Sequence, residues 1–133
     1  MFPNKLARFI ALSVMALFLG ATSVRAQTVP PPPPDTDGDG ITDDVDQCPT
    51  SDLSATVVID GSDTGITNIL FGTGCTLADV INEKIDECAA NAKNHGKFVS
   101  CVSHETNILK RAKVISGREK GKIQSIVAHL HLP

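Results

Sequence analysis

The chain has no tryptophan and no tyrosine, and only five phenylalanines among its 133 residues. Three of those lie at positions 2, 9 and 18, so beyond residue 26 the only aromatics are Phe71 and Phe98. A core this poor in large side chains needs support from crosslinks or metal. The same shortage removes the stacking platforms that single-stranded nucleic acid requires, so nucleic acid is not an expected partner. No apolar run approaches the ~20 residues that span a bilayer comfortably. Phosphate-loop, nucleophile and His-Glu-x-x-His motifs are absent as well, and the sequence reads as a non-enzyme. Between residues 27 and 79 there is no lysine or arginine at all, against ten acids.

What is present at the N-terminus is an export signal by pattern. Lys5 and Arg8 precede an almost unbroken apolar stretch from Phe9 to Leu19, and Val24-Arg25-Ala26 has compact residues where a signal peptidase cuts. Residues 1–26 are therefore expected to be a cleaved signal peptide, the alternative being retention as an N-terminal anchor. The expected location is periplasmic or secreted, with no transmembrane segment after cleavage. The first 26 residues hold three of the twelve bases (Lys5, Arg8, Arg25) and none of the fifteen acids, so cleavage leaves a net charge of −6. All nine remaining bases fall in residues 80–133, with five acids. Charge segregated in this way points to two structural units or two tasks.

The four cysteines, Cys48, Cys75, Cys88 and Cys101, lie beyond the signal, and their even number predicts two disulfides. Cys88 and Cys101 flank Asn94-His95-Gly96 almost symmetrically and would face each other in an antiparallel helical hairpin. Of the three pairings that four cysteines allow, this one leaves Cys48 with Cys75. A zinc site from Cys88, His95, Cys101 and His104 is the competing reading, but the spacing does not fit common zinc modules.

Along the chain, Pro30–Pro34 with its flank forms a proline-rich linker over residues 27–34, favouring an extended spacer. Thr56–Ile59 and Ile66–Phe71 are β-branched and apolar around a turn-rich Asp60–Gly65, predicting a short β-like hairpin that must pack on something. Leu77, Ile81, Ile85, Cys88 and Ala92 then recur at helical spacing. Thr76 and Asp79 make a capping box at the start, and Gly96 is the expected C-terminal stop. A second helix is expected through Phe98, Cys101, Val102, Ile108, Leu109 and Ala112. A third is expected through Ile123, Ile126, Val127 and Leu130, opened by a Ser116/Glu119 capping box. The fold class expected is mainly α: an extended calcium-binding loop and a short β-like hairpin, followed by a small disulfide-supported three-helix domain.

The strongest chemical signal is the segment Asp35-Thr36-Asp37-Gly38-Asp39-Gly40-Ile41-Thr42-Asp43-Asp44-Val45-Asp46. Ca²⁺ takes six to eight oxygens, and a twelve-residue loop can supply them with carboxylates at alternate positions, a glycine at the sixth and a carbonyl at the seventh. Asp35, Asp37 and Asp39 are the alternating carboxylates, Gly40 the turn and Ile41 the carbonyl. Asp46 closes the shell, and Asp43 binds directly or through water. Two carboxylates ~6 Å apart in water repel by about 0.7 kcal/mol, so six in one loop favour a divalent cation. An EF-hand would end in Glu between two helices, whereas this loop ends in Asp46 and runs into Gln47-Cys48-Pro49.

The pattern Asp-x-Asp-x-Asp-Gly-x-x-Asp-x-x-Asp-x-Cys-Pro closely resembles a thrombospondin type 3 repeat over Asp35–Pro49, with every position filled. In that family the aspartates coordinate Ca²⁺ and the cysteine forms a disulfide to a neighbouring segment. The resemblance implies those roles for Asp35, Asp37, Asp39, Asp43, Asp46 and Cys48. Repeats of that family come in tandem and share ions, whereas this chain has one, so weak binding is expected, with Kd of about 10⁻⁴–10⁻³ M. The segments Val57–Gly61, Gly74–Asp79 and Asn94–Val102 are similar to the C-terminal region of exported bacterial proteins carrying such a repeat, which extends the family without supplying a function.

These observations define a domain plan of signal peptide 1–26, linker 27–34, calcium loop 35–50 and a β-plus-helical domain 55–133. The function expected is that of a calcium-binding structural or cell-adhesion module. The alternative is a partner-binding protein whose cationic helical face (Lys93, Lys97, Lys110, Arg111, Lys113, Arg118, Lys120, Lys122) meets an anionic protein or cell surface, with calcium only a staple. The bland reading of those bases is the wet side of a helical bundle.

Overall fold

The computed structural model describes residues 30–130, and the architecture is that of the unit spanning Pro32–Pro133. The expected signal peptide (residues 1–26), linker residues 27–29 and residues 131–133 lie outside the described residues. Pro30–Pro34 is solvent-exposed and in neither helix nor strand.

Two strands and three helices follow in the order β1 (Thr56–Ile59), β2 (Ser62–Thr67), α1 (Leu77–Asn91), α2 (His95–Arg111) and α3 (Gly117–Val127). β1 and β2 are antiparallel, with Ile59 opposite Ser62, Val58 opposite Asp63 and Thr56 opposite Thr67. The turn is shorter than the sequence suggested. Only Asp60 and Gly61 lie between the strands, both with positive φ (47° and 75°), the conformation that Asp-Gly favours in two-residue hairpins. The register is irregular between Thr56 and Val58. There the buried Thr64 hydroxyl donates to the Val57 carbonyl and accepts from the Ile66 N–H, satisfying groups an even ladder would have paired.

Each helix begins where its cap dictates. Thr76 and Asp79 form a reciprocal capping box at α1, Ser116 and Glu119 another at α3, and the Asn94 side chain accepts the Lys97 N–H at α2. Gly96 is not the stop of the first helix but the second residue of α2. Asn94 outcompetes it, because its side chain satisfies an otherwise orphaned helix N–H. α1 closes instead at Ala92, whose N–H bonds to the Ala89 carbonyl.

The fold class also differs from a mainly α bundle: it is mixed α/β. Val57, Ile59 and Ile66 from the hairpin share one buried cluster with Leu77, Ile81, Ile85, Phe98, Val102, Ile115, Ile123 and Val127. With so few bulky residues in the helices, the apolar face of the hairpin is an integral wall of the core. α1 packs on β1 and α3 on β2, while α2 packs against both other helices. Polar ties fix these contacts. Asn82 of α1 donates to the Val58 carbonyl at 3.0 Å, and Lys122 of α3 donates to the Gly65 carbonyl at 3.1 Å. Both strand edges are thus partly occupied, which protects a short sheet from pairing with other chains.

Two disulfides complete the frame, Cys48–Cys75 and Cys88–Cys101, the pairing expected from the hairpin geometry. They fit an oxidising compartment. No described helix is long and apolar enough to cross a membrane.

Candidate metal centre

The acidic segment folds into a tight loop because its own backbone amides are gathered by its carboxylates. Gly38 and Gly40 adopt φ of 78° and 94°, which residues with a Cβ rarely take, and their N–H groups both donate to Asp35, at 2.8 and 3.1 Å. Asp37 accepts the Asp39 N–H at 3.2 Å, and Asp39 accepts the Ile41 N–H at 2.6 Å. The half-buried Asp37 and Asp39 alternate with exposed Thr36, Gly38 and Gly40, so the odd positions point inward. As a result Asp35, Asp37 and Asp39 bring one carboxylate oxygen each within 4.8 Å of one another.

The other sequence-predicted ligands serve different contacts here. Both oxygens of Asp43 are engaged by Thr36, from its N–H at 2.8 Å and its hydroxyl at 2.7 Å, and the Asp43 N–H donates to the Pro34 carbonyl. Asp43 therefore closes the loop on itself. The seventh position, Ile41, is half-buried and uses its N–H on Asp39. Asp46 accepts the Cys48 N–H at 2.7 Å and rests against the backbone of Gly74.

Two carboxylate oxygens stand apart from this network. Asp39 Oδ2 and Asp46 Oδ2 are buried and have no hydrogen-bond partner. A carboxylate oxygen removed from water without a donor is costly, and the usual resolutions are a cation or a donor. No base neutralises the loop either: among the described residues the ion pairs are Lys84–Glu87 and His104–Glu105, both on the helices. The donor set is all oxygen and anionic, which suits a hard cation such as Ca²⁺ or Mg²⁺ and not zinc or copper.

Residues beyond the motif build the wall behind the loop. The Ser51 N–H donates to Asp37 Oδ2 at 2.7 Å, and its hydroxyl bonds to the Cys48 and Gly74 carbonyls. The Gln47 N–H donates to the Thr73 carbonyl at 2.9 Å, one residue before the Cys48–Cys75 bridge. The Asp52 N–H donates to Asp79 Oδ1 at 3.0 Å, reaching the cap of α1. Burial works against the charge on Asp79, but the amides of Asp52 and Thr76 and the Thr76 hydroxyl outweigh it and hold this carboxyl below its ordinary pKa. Ser51 and Gly74 escaped the motif reading because no local pattern marks them. Ser51 acts 14 residues from Asp37, and the contact of Gly74 with Asp46 exists only after folding.

Gly74 has a sharp consequence. It is buried with φ of 87°, and a Cβ there would lie 1.7 Å from Asp46 Oδ1. Gly74→Ala is expected to destabilise the protein by about 2–3 kcal/mol, combining left-handed strain with displacement of Asp46. Urea denaturation measures it, and a loss below about 0.5 kcal/mol, the range of ordinary surface changes, would show that the contact gives way freely.

The remaining candidates resolve more simply. Cys88 and Cys101 are joined in a disulfide, so no thiolate pair is present for the zinc reading with His95 and His104. His95 instead caps the far end of α3 through the Ala128 carbonyl, and His104 is exposed beside Glu105. Of the eight bases expected on a helical face, Lys93 and Lys113 lie in the connections between helices, and two of the others hold the fold. Lys120 donates to Ser103 and Asn107 of α2, and Lys122 to Gly65. Lys93, Lys97, Lys110, Arg111, Lys113 and Arg118 are exposed.

Comparison with protein-family models, curated proteins and solved structures finds no match to this chain.

Proposed function

We propose that this protein is an exported calcium-binding structural or adhesive module, built on a single thrombospondin type 3-like repeat at Asp35–Pro49. One observation carries the reading: Asp35, Asp37 and Asp39 bring carboxylate oxygens within 4.8 Å of one another, and Asp39 Oδ2 is buried with no hydrogen-bond partner. Asp35, Asp37 and Asp39 would hold Ca²⁺, joined by the Ile41 carbonyl and Asp46, with Asp43 binding directly or through water. The ion would supply positive charge to a loop whose carboxylates form no ion pair with a base among the described residues. The rest of the chain anchors the loop rather than reacting with anything. Asp37 is oriented by the Ser51 N–H in the manner of outer-shell donors that fix a metal ligand, and Cys48 is tied to Cys75. The two disulfides support a periplasmic or extracellular setting, where millimolar calcium makes a weak site useful.

Calorimetric titration of the intact, oxidised chain after chelator treatment tests this. Binding is expected with Kd of about 10⁻⁴–10⁻³ M, and loss of that binding in Asp37→Ala/Asp39→Ala. Absence of any binding at several millimolar Ca²⁺ would overturn the proposal and leave the helical half as the place to look for function.

A further inference from the structure

The acidic loop does not end at its own ligands. Through Ser51 and Asp52 it reaches the N-terminal cap of α1, and we infer that these two residues are a mechanical relay by which the cation state of the loop sets the local stability of the start of α1. The inference rests on the reading of the loop as a calcium site, and it concerns what this chain's own residues do in response.

The path is short and continuous. Asp37 Oδ2 accepts the Ser51 N–H at 2.7 Å. The Ser51 hydroxyl clamps the same residue to the Cys48 and Gly74 carbonyls on either side of the disulfide-linked wall. The next N–H along the chain, that of Asp52, donates to Asp79 Oδ1 at 3.0 Å. Asp79 Oδ2 accepts the Thr76 N–H and hydroxyl at 2.7 and 2.8 Å, and the Thr76 hydroxyl accepts the Asp79 N–H at 3.2 Å. One carboxylate of the loop and the first turn of α1 are therefore joined through the two successive peptide groups that flank the Ser51 Cα.

Electrostatics give the relay its direction. With Asp35, Asp37 and Asp39 uncompensated, mutual repulsion drives Asp37 outward and pulls on the Ser51 N–H. Relieving that repulsion fixes Asp37, which then holds Ser51 and presents the Asp52 N–H to Asp79 in a constant position. Asp79 can then satisfy Thr76 and Asp52 together, and the first turn of α1 frays less often.

The fold supplies its own control. α3 opens with the same device, in which Ser116 donates its N–H to Glu119 at 2.6 Å and its hydroxyl accepts the Glu119 N–H at 3.2 Å. None of the hydrogen bonds at that cap comes from the loop or from Ser51 and Asp52. Amide hydrogen exchange on the intact, oxidised chain, with chelator and with Ca²⁺ at several millimolar, separates the two caps. Protection of the Ser51, Asp52 and Asp79 amides is expected to rise by at least about fivefold with Ca²⁺ while that of Glu119 stays within about twofold. Equal gains at Asp79 and Glu119 would mean general stabilisation, and unchanged protection at Asp79 despite calorimetric binding would mean no coupling. Either result overturns the relay while leaving the calcium reading intact. No calorimetric binding overturns both.

Discussion

Replacing Phe98 by alanine is expected to cost about 3–5 kcal/mol, the largest single-residue effect in this protein. Phe98 is 1% exposed and heads the fully buried side chains by volume. It enters the core from the first turn of α2, where its ring lies 6.1 Å from that of His95. It shares the core with aliphatic side chains and no second buried aromatic, so its loss leaves a void wherever those neighbours cannot collapse inward. A small domain has about 5–15 kcal/mol of stability in total, so the variant is expected to be near its folding threshold. Urea denaturation with circular dichroism measures this, with Phe71→Ala as the companion. Phe71 is only half-buried at the rim, and its loss is expected to be markedly smaller. Equal losses would show that the core is not centred on Phe98.

The second large effect belongs to the bridge beside the acidic loop. Cys48→Ala/Cys75→Ala opens a separation of 27 residues, and the loop-entropy model assigns it about 3.5 kcal/mol. Cys88→Ala/Cys101→Ala opens 13 residues, for which the same model gives about 3 kcal/mol. The two bridges are thus nearly matched in stability and differ in what they hold. Cys48–Cys75 joins the end of the loop to the segment that carries Gly74, against which Asp46 rests, whereas Cys88–Cys101 joins α1 to α2. Losing the first bridge is expected to weaken Ca²⁺ binding by about tenfold, within the usual range of coupling between linked sites. Losing the second is expected to leave the affinity nearly unchanged in whatever fraction remains folded. Parallel calorimetry at a temperature where both variants are folded distinguishes them. Equal weakening would mean that calcium affinity follows global stability and not the wall behind the loop.

Much of this architecture was legible because it is encoded by interactions close in sequence. Both capping boxes join residues three apart, and the helical spacing of Leu77, Ile81, Ile85 and Cys88 marks the face that is buried. The Cys88–Cys101 pairing follows from two helices folding back over a short turn. The hairpin is legible in the sequence, but its turn is the two residues Asp60-Gly61 and not Asp60–Gly65, because the polar residues after it, Ser62 and Asp63, could pass for loop. Thr64 shows why they do not, as its buried hydroxyl replaces the bonds lost where the register breaks. Gly96 lies inside α2 and does not end α1, because the side chain of Asn94 supplies an acceptor to the next helix, and that contact outweighs the preference of glycine for helix ends.

For the candidate site, the sequence by itself determined the carboxylate spacing, and with it the convergence of Asp35, Asp37 and Asp39, since alternate residues of a glycine-turned loop face the same interior. It determined equally that no base would lie within that loop. Only the tertiary structure decided that the hairpin is part of the core, making the fold mixed α/β, because burial depends on which faces meet and not on periodicity alone. Only it decided that Asp46 lies against Gly74, that Ser51 holds Asp37, and that Asp52 reaches Asp79, contacts spanning 14 to 28 residues of chain. Short-range hydrogen bonds and side-chain periodicity are written into neighbouring residues. Contacts between distant segments exist only once the disulfides and the apolar core have brought those segments together.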